Sequence, residues 1–154
     1  MHNGRWEWNS YILKGKKQIK FKESCPTTVK LLESLKSPRL MSDTPFSFSF
    51  FSTLSGDETK IAPHCSPCNL RLRCHIPLIV PEGDCGIRIA NQTIQWRVGH
   101  PLIFDDCYEH EVWNNTRSDR VVLLFDIWHP DLGVEEIIGI ENMFGYAAQQ
   151  GWLK

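Results

Sequence analysis

From residue 46 to residue 128 the chain is a succession of short runs that alternate or are uniformly apolar, each too short for an ordinary helix. Phe46, Phe48 and Phe50 alternate with serines and open a strand-like stretch over 46–54. Further runs cover 70–75, 76–80, 86–90, 93–97, 102–104, 111–114 and 121–128. Turn-forming residues separate them: Pro81 to Gly83, Asn91 and Gln92, Gly99, Asp105 and Asp106, Asn114 and Asn115. Many short strands at this spacing predict a β-sandwich or jelly roll. Ahead of them, residues 26–37 read as a helix. Pro26 suits its first turn, Val29, Leu31, Leu32 and Leu35 give an apolar face, and Ser37-Pro38 ends it. The tail, 134–154, reads as helical and packed outside the sheets, although Gly139, Gly145 and Gly151 weaken the pattern.

The chain has 154 residues, enough for one domain with its own core. A net charge of −1 provides no electrostatic footprint for nucleic acid or an anionic membrane. No apolar run approaches the length that crosses a bilayer, and the first residues contain no apolar signal segment. A cytoplasmic location is therefore expected. The six cysteines permit three disulfides, but a chain able to bury a core, without an export signal, favours reduced thiols.

Two stretches concentrate chemically costly residues. One is APHCSPCNLRLRCHIPL, residues 62–78, and the other spans 101–132 and contains FDDCYEHEVW. His64 follows Pro63, and His110 stands at the entrance of a strand, where its ring can enter the mouth of a barrel. Neutral imidazole is a good ligand for Fe(II), Zn(II) or Cu(II). Arg71, Arg73 and His75 share one strand face by parity. Arg120 begins the last long strand, where a buried guanidinium needs a carboxylate partner. Taken singly, each arginine reads as a solvated strand residue. Basic clusters flanking two histidines favour a metal with a small dianion.

The spans PHCSPCNLRLRCHIPL, WRVGHPLIFDDCYEHEVWNN and FDIWHPDL resemble the aspartyl/asparaginyl β-hydroxylase family, whose members are 2-oxoglutarate- and Fe(II)-dependent dioxygenases. The resemblance runs from about Trp8 to Leu132. It departs at residues 65–69, where the family has Thr-Gly-Pro-Thr-Asn and this chain has Cys-Ser-Pro-Cys-Asn. The resemblance implies a mainly β, double-stranded β-helix (a cupin-like jelly roll) with an N-terminal helix and a short helical tail, as a single domain over 1–154. It implies His64 and His110 as iron ligands. Arg120, helped by Ser52, would grip the distal carboxylate of 2-oxoglutarate. Arg73, Cys74, His75 and Trp8 would contact the same cosubstrate, and dioxygen would be consumed. The implied reaction hydroxylates an unactivated C–H, with the β-carbon of a peptide Asp or Asn as first choice. A lipid acyl chain or a free amino acid is the alternative substrate.

Most enzymes of this chemistry place a carboxylate two residues after the first histidine, and here that residue is Ser66. Water, or one of Asp105, Asp106 and Glu109, could fill the third position. Glu109 is disfavoured because neighbours on a strand point oppositely. Asp105 and Asp106 are expected to shape the turn and orient His110. Rival readings also exist. Cys65 and Cys68 with Cys74 or Cys85 could hold zinc, but a second Cys-x-x-Cys is missing. A metalloprotease helix is excluded because Asn114 occupies the place of its second histidine. Trp96 and Trp128 read as packing residues, and Asp126 as a strand-end group. A catalytically silent jelly-roll binding domain would keep the scaffold without the joint set His64, His110 and Arg120.

Overall fold

A computed structural model describes residues 2–153. In chain order its elements are β1 (His2–Asn3), β2 (Trp6–Leu13), β3 (Lys16–Lys17), α1 (Ile19–Ser24), α2 (Pro26–Glu33), β4 (Ser49–Leu54) and β5 (Thr59–His64). There follow β6 (Arg71–Ile79), β7 (Cys85–Ile89), β8 (Gln92–Ile94), β9 (Leu102–Phe104), β10 (His110–Asn114), β11 (Arg120–Trp128) and α3 (Val134–Gln149). The smaller sheet runs β1-β5-β10-β7-β8 and the larger β3-β2-β4-β11-β6-β9. Every strand pair is antiparallel. The result is a mainly β, two-sheet jelly roll of the double-stranded β-helix kind, with helices near the N-terminus and one after the last strand.

Side-chain alternation decides what each face of the larger sheet does. Along β11, Val122 and Leu124 point between the sheets, where they meet Phe50 and Leu54 of β4 and Ile61, Ile87 and Val112 of the smaller sheet. Leu123, Phe125 and Ile127 point the other way, onto Phe21 of α1 and Val29 and Leu32 of α2. Burial on both faces explains why β11 reads as a continuous apolar run. A third cluster, Met41, Trp128 and Ile137, lies beneath α3.

Several boundaries differ from the sequence reading. The strand expected over 46–54 begins at Ser49, because Phe46 packs against Phe144 of α3 and the Phe48 N–H donates to the Asp126 carboxylate (3.1 Å). Two runs, 70–75 and 76–80, are one strand, β6. Pro77, which has no N–H, sits opposite Val122 beside a register shift that absorbs the lost ladder bond. The run over 93–97 stops at Ile94, and Trp96 leaves the sheet to fill the inter-sheet core. The helix expected over 26–37 ends at Glu33 and is preceded by the separate α1. The tail is helical through Gly139 and Gly145. Among the described residues, no helix is long and apolar enough to cross a membrane.

Candidate metal and dicarboxylate site

His64 ends β5 and His110 begins β10, and the two residues are register partners across the antiparallel pair. Their ring centroids lie 4.1 Å apart. Each Nδ1 is tied to a carbonyl two residues upstream, His64 to Ala62 (2.8 Å) and His110 to Tyr108 (2.9 Å). A carbonyl can only accept, so the hydrogen sits on Nδ1 and the lone pair on Nε2. Burial pushes the His110 pKa below its ordinary value, against the opposing pull of the Tyr108 carbonyl. A neutral, backbone-oriented imidazole is the metal-binding form.

Both histidines line a cavity of ≈ 340 Å³ between the sheets. Trp6 and Trp8 of β2, Phe48, Phe50 and Ser52 from the β4 side, and Arg73 and His75 of β6 share its wall, with Arg120 of β11. Ser66 also reaches it, but its hydroxyl donates to the Cys68 carbonyl (2.9 Å) and accepts from Arg71 (3.2 Å). Among the described residues, no three His, Cys, Asp or Glu side chains are grouped to hold a metal ion, so the protein offers the histidine pair alone. All six cysteines are free thiols.

The arginines divide into two kinds. Arg71 and Arg73 form a closed network with Asp106 and Asp126. Arg71 contacts Asp106 at 2.7 Å and Asp126 at 3.1 Å, and Arg73 contacts the same two carboxylates at 3.2 and 2.9 Å. Two positive and two negative charges cancel there, all nearly buried. Burial opposes the Asp106 carboxylate, but Arg73 and Arg71 beside it hold its pKa below the usual range. Arg120 is different. It is 2% exposed and, among the described residues, has no acidic partner and donates only long hydrogen bonds to the Ser52 carbonyl and hydroxyl (3.3 and 3.4 Å). Its Nε has no partner, and burial pulls its pKa down to about 10. His75 adds a second orphan. Its Nδ1 accepts from Trp96 (3.2 Å), while its buried Nε2 meets no acceptor. Burial, then Arg120 and Arg73, push its pKa well down, so it is neutral with the hydrogen on Nε2.

The structure brings His64, His110, Ser52, Trp8, Arg73, His75 and Arg120 to one cavity. It does not bring Cys74 there. Cys74 lies between Arg73 and His75 on β6, so its side chain faces the opposite side and joins the core under α1 and α2. Burial raises its thiol pKa to about 12, which makes it inert. Asp106 does not orient His110 but holds the arginines, and Asp105 accepts the Cys107 N–H (2.9 Å). Asp126, third from the end of β11, is no solvated strand-end group: it is wholly buried and faces Arg73 across the ladder. Trp6, which the sequence did not single out as a site residue, donates its indole N–H to the Ser52 hydroxyl (2.9 Å), and its place in the cavity follows from pairing across β2 and β4.

The donor set fits the group implied. Two imidazoles whose Nδ1 atoms are held by carbonyls can turn Nε2 toward a divalent transition ion. Deeper in the cavity, an unpaired guanidinium, a hydroxyl and an imidazole N–H leave donors that a carboxylate would satisfy.

The family model for aspartyl/asparaginyl beta-hydroxylase matches residues 1–130. The chain is 36% identical over 128 residues to the aspartyl/asparaginyl beta-hydroxylase of Mus musculus, covering 82% of this chain and 17% of that protein. It is 39% identical over 128 residues to the ornithine lipid ester-linked acyl 2-hydroxylase of Rhizobium tropici, covering 80% of this chain and 42% of that protein. The chain thus spans less than half the length of either relative. Among solved structures, a predicted oxalate decarboxylase of Thermotoga maritima superposes with a TM-score of 0.46 at 14% identity, over 80% of this chain and 92% of that one. The chain belongs to the aspartyl/asparaginyl β-hydroxylase family.

Proposed function

We propose that this domain is a 2-oxoglutarate- and Fe(II)-dependent hydroxylase. One observation carries the reading: a buried guanidinium without an acidic partner among the described residues, Arg120, shares one cavity with two backbone-oriented imidazoles, His64 and His110. A buried cation without a counterion is costly, and the cost is offset when a carboxylate arrives. When bound, ferrous iron and 2-oxoglutarate supply dioxygen activation coupled to loss of carbon dioxide, with succinate and a hydroxylated substrate as products.

The chain's own residues do the positioning. His64 and His110 offer Nε2 to the metal, and their Nδ1–H bonds to Ala62 and Tyr108 fix both rings against rotation. Arg120 and Ser52 hold the distal carboxylate, and the Trp6 indole occupies one lone pair of the Ser52 hydroxyl, turning its O–H toward the ligand. Trp8, stacked on Phe50 (4.5 Å between centroids) and partly exposed, stands at the rim of the cavity, where Phe48 and Phe50 beside it give an apolar wall. Arg73, neutralised by Asp126 and Asp106, stiffens the floor of the cavity and leaves Arg120 as its uncompensated charge.

The substrate carbon we assign first is the β-carbon of an Asp or Asn in a peptide, in keeping with the family. A second reading, a lipid acyl chain, is favoured by the aromatic lining of Trp6, Trp8, Phe48 and Phe50 and by what the name of the Rhizobium relative says of that protein. Anaerobic addition of Fe(II) and 2-oxoglutarate should produce a weak visible charge-transfer band that His110→Ala abolishes. A band of full strength in that variant would remove His110 from the metal. Succinate release, measured with Asp- and Asn-containing peptides and with acyl lipids in parallel, separates the two substrates.

A further inference from the structure

Trp96 takes no part in the cavity wall, yet it touches two of the groups on which a carboxylate would depend. It is 4% exposed and belongs to the core between the sheets. Its indole N–H donates to His75 Nδ1 at 3.2 Å, with the ring planes tilted by 33°. Its face lies under the Arg120 guanidinium, 4.8 Å from the ring centroid. No other aromatic ring lies under that guanidinium among the described residues.

Each contact has a consequence. An indole N–H can only donate, so His75 Nδ1 must carry the lone pair and Nε2 the hydrogen. Without the indole, the other tautomer would present a lone pair to the cavity and repel a carboxylate. The indole face supplies attraction to a desolvated cation that lacks a counterion. It also fixes the plane in which the guanidinium fork opens.

We propose that Trp96 is a positioning residue for the cosubstrate: from behind the wall it sets His75 as an Nε2–H donor and holds the Arg120 fork open toward the distal carboxylate. The proposal rests on the reading of this cavity as a 2-oxoglutarate site. It adds a residue that never touches the ligand and assigns His75 a specific hydrogen.

The test separates the two layers. Two-bond ¹H–¹⁵N spectra of the metal-free protein report the His75 tautomer without any ligand. Wild type should show the Nε2–H form, and Trp96→Phe should lose it. Replacing Trp96 with β-(3-benzothienyl)alanine removes only the N–H while keeping shape and ring face, so it answers the question even where Trp96→Phe fails to fold. Calorimetric titration of 2-oxoglutarate into the Mn(II)-loaded protein should give a Kd about tenfold weaker in the N–H-deleted variants, the effect of one lost charge-assisted hydrogen bond. Trp96→Leu, which also removes the ring face, should weaken it further, to about a hundredfold. An Nδ1–H tautomer in wild type, or an unchanged Kd in the variants, overturns the role of Trp96. A wild type that holds the Nε2–H tautomer but has no affinity for 2-oxoglutarate overturns the cosubstrate assignment while leaving the Trp96–His75 geometry standing.

Discussion

Arg120 carries the clearest conflict between stability and function. Burial without an anion is unfavourable to the ligand-free fold by roughly 3 kcal/mol, judged from a pKa pulled down to about 10. Arg120→Met keeps the length of the side chain and removes the charge. It should raise the ligand-free midpoint of chemical denaturation, by about 1–3 kcal/mol of stability, and weaken 2-oxoglutarate binding by about 2–5 kcal/mol. Denaturation curves and calorimetry on one preparation check both signs, and lowered stability with intact affinity would place the anion elsewhere. His75 and His110 make a second residue-scale prediction. Burial depresses both, so the folded state resists protonation while the unfolded chain takes up protons near the ordinary histidine value. Stability should therefore be full above about pH 6.5 and fall as the pH drops below it. Asp106 acts at lower pH: its depressed pKa contributes stability above the usual carboxylate range that is lost below about pH 4. His75→Gln should flatten the upper part of that decline, read from urea midpoints between pH 7 and 5.

At the scale of strands, register places the chemistry. The His64–His110 pair exists because β5 and β10 align these residues, with a shift between His110 and Val112 that adjusts the ladder at the cavity mouth. The same sheet depends on Gly86. It sits opposite Trp113 across β7 and β10, and a Cβ there would come within 2.8 Å of the Trp113 ring and 3.1 Å of the Ile94 carbonyl. Gly86→Ala should cost about 1–3 kcal/mol through displaced packing, measured by urea denaturation, and Trp113 fluorescence should shift as its bond to Asp84 (2.6 Å) loosens. Strand pairing also marks where sequence reading stops. The two histidines and the shared face of Arg71, Arg73 and His75 are local properties, visible as residue type and parity. That Asp126 would face Arg73, or Asp106 meet Arg71, depends on β11 and the β9–β10 turn packing beside β6, which no single segment encodes. Alternation did contain the warning against Cys74, since a residue between two inward neighbours must point outward. Of the four strands the sequence reading missed, β1 and β3 have two residues each, while β2 (WEWNSYIL) lacks a clean period and β5 (TKIAPH) has proline beside its histidine.

Across the whole molecule, the larger sheet separates two environments. One face forms the inter-sheet core and the cavity, and the other carries α1 and α2 as a structural backing. The third cluster, under α3, is remote in composition from the cavity: Met41, Trp128 and Ile137, with Leu70, Leu132 and Ile140 around them. The family match ends at residue 130, before α3 begins. α3 is attached through Ile137, the Phe46–Phe144 contact and the Arg39–Glu141 ion pair (2.8 Å). Removing it would expose Met41 and Trp128, which are 0% and 1% accessible in the intact chain. A variant ending at Leu132 should therefore lose about 2–4 kcal/mol of stability, the scale of uncovering two or three large apolar side chains. Its affinity for 2-oxoglutarate should stay within about threefold, because no α3 residue lines the cavity. Two links could carry a larger effect: Phe46, whose carbonyl accepts from Arg71 and whose ring rests on α3, and Trp128, which packs with Ile137 and pairs with Arg71 across the ladder. Calorimetry on the shortened chain distinguishes the outcomes: unchanged affinity means the network of Arg71, Arg73, Asp106 and Asp126 holds itself in place, whereas a large loss means α3 supports it through Phe46 and Trp128.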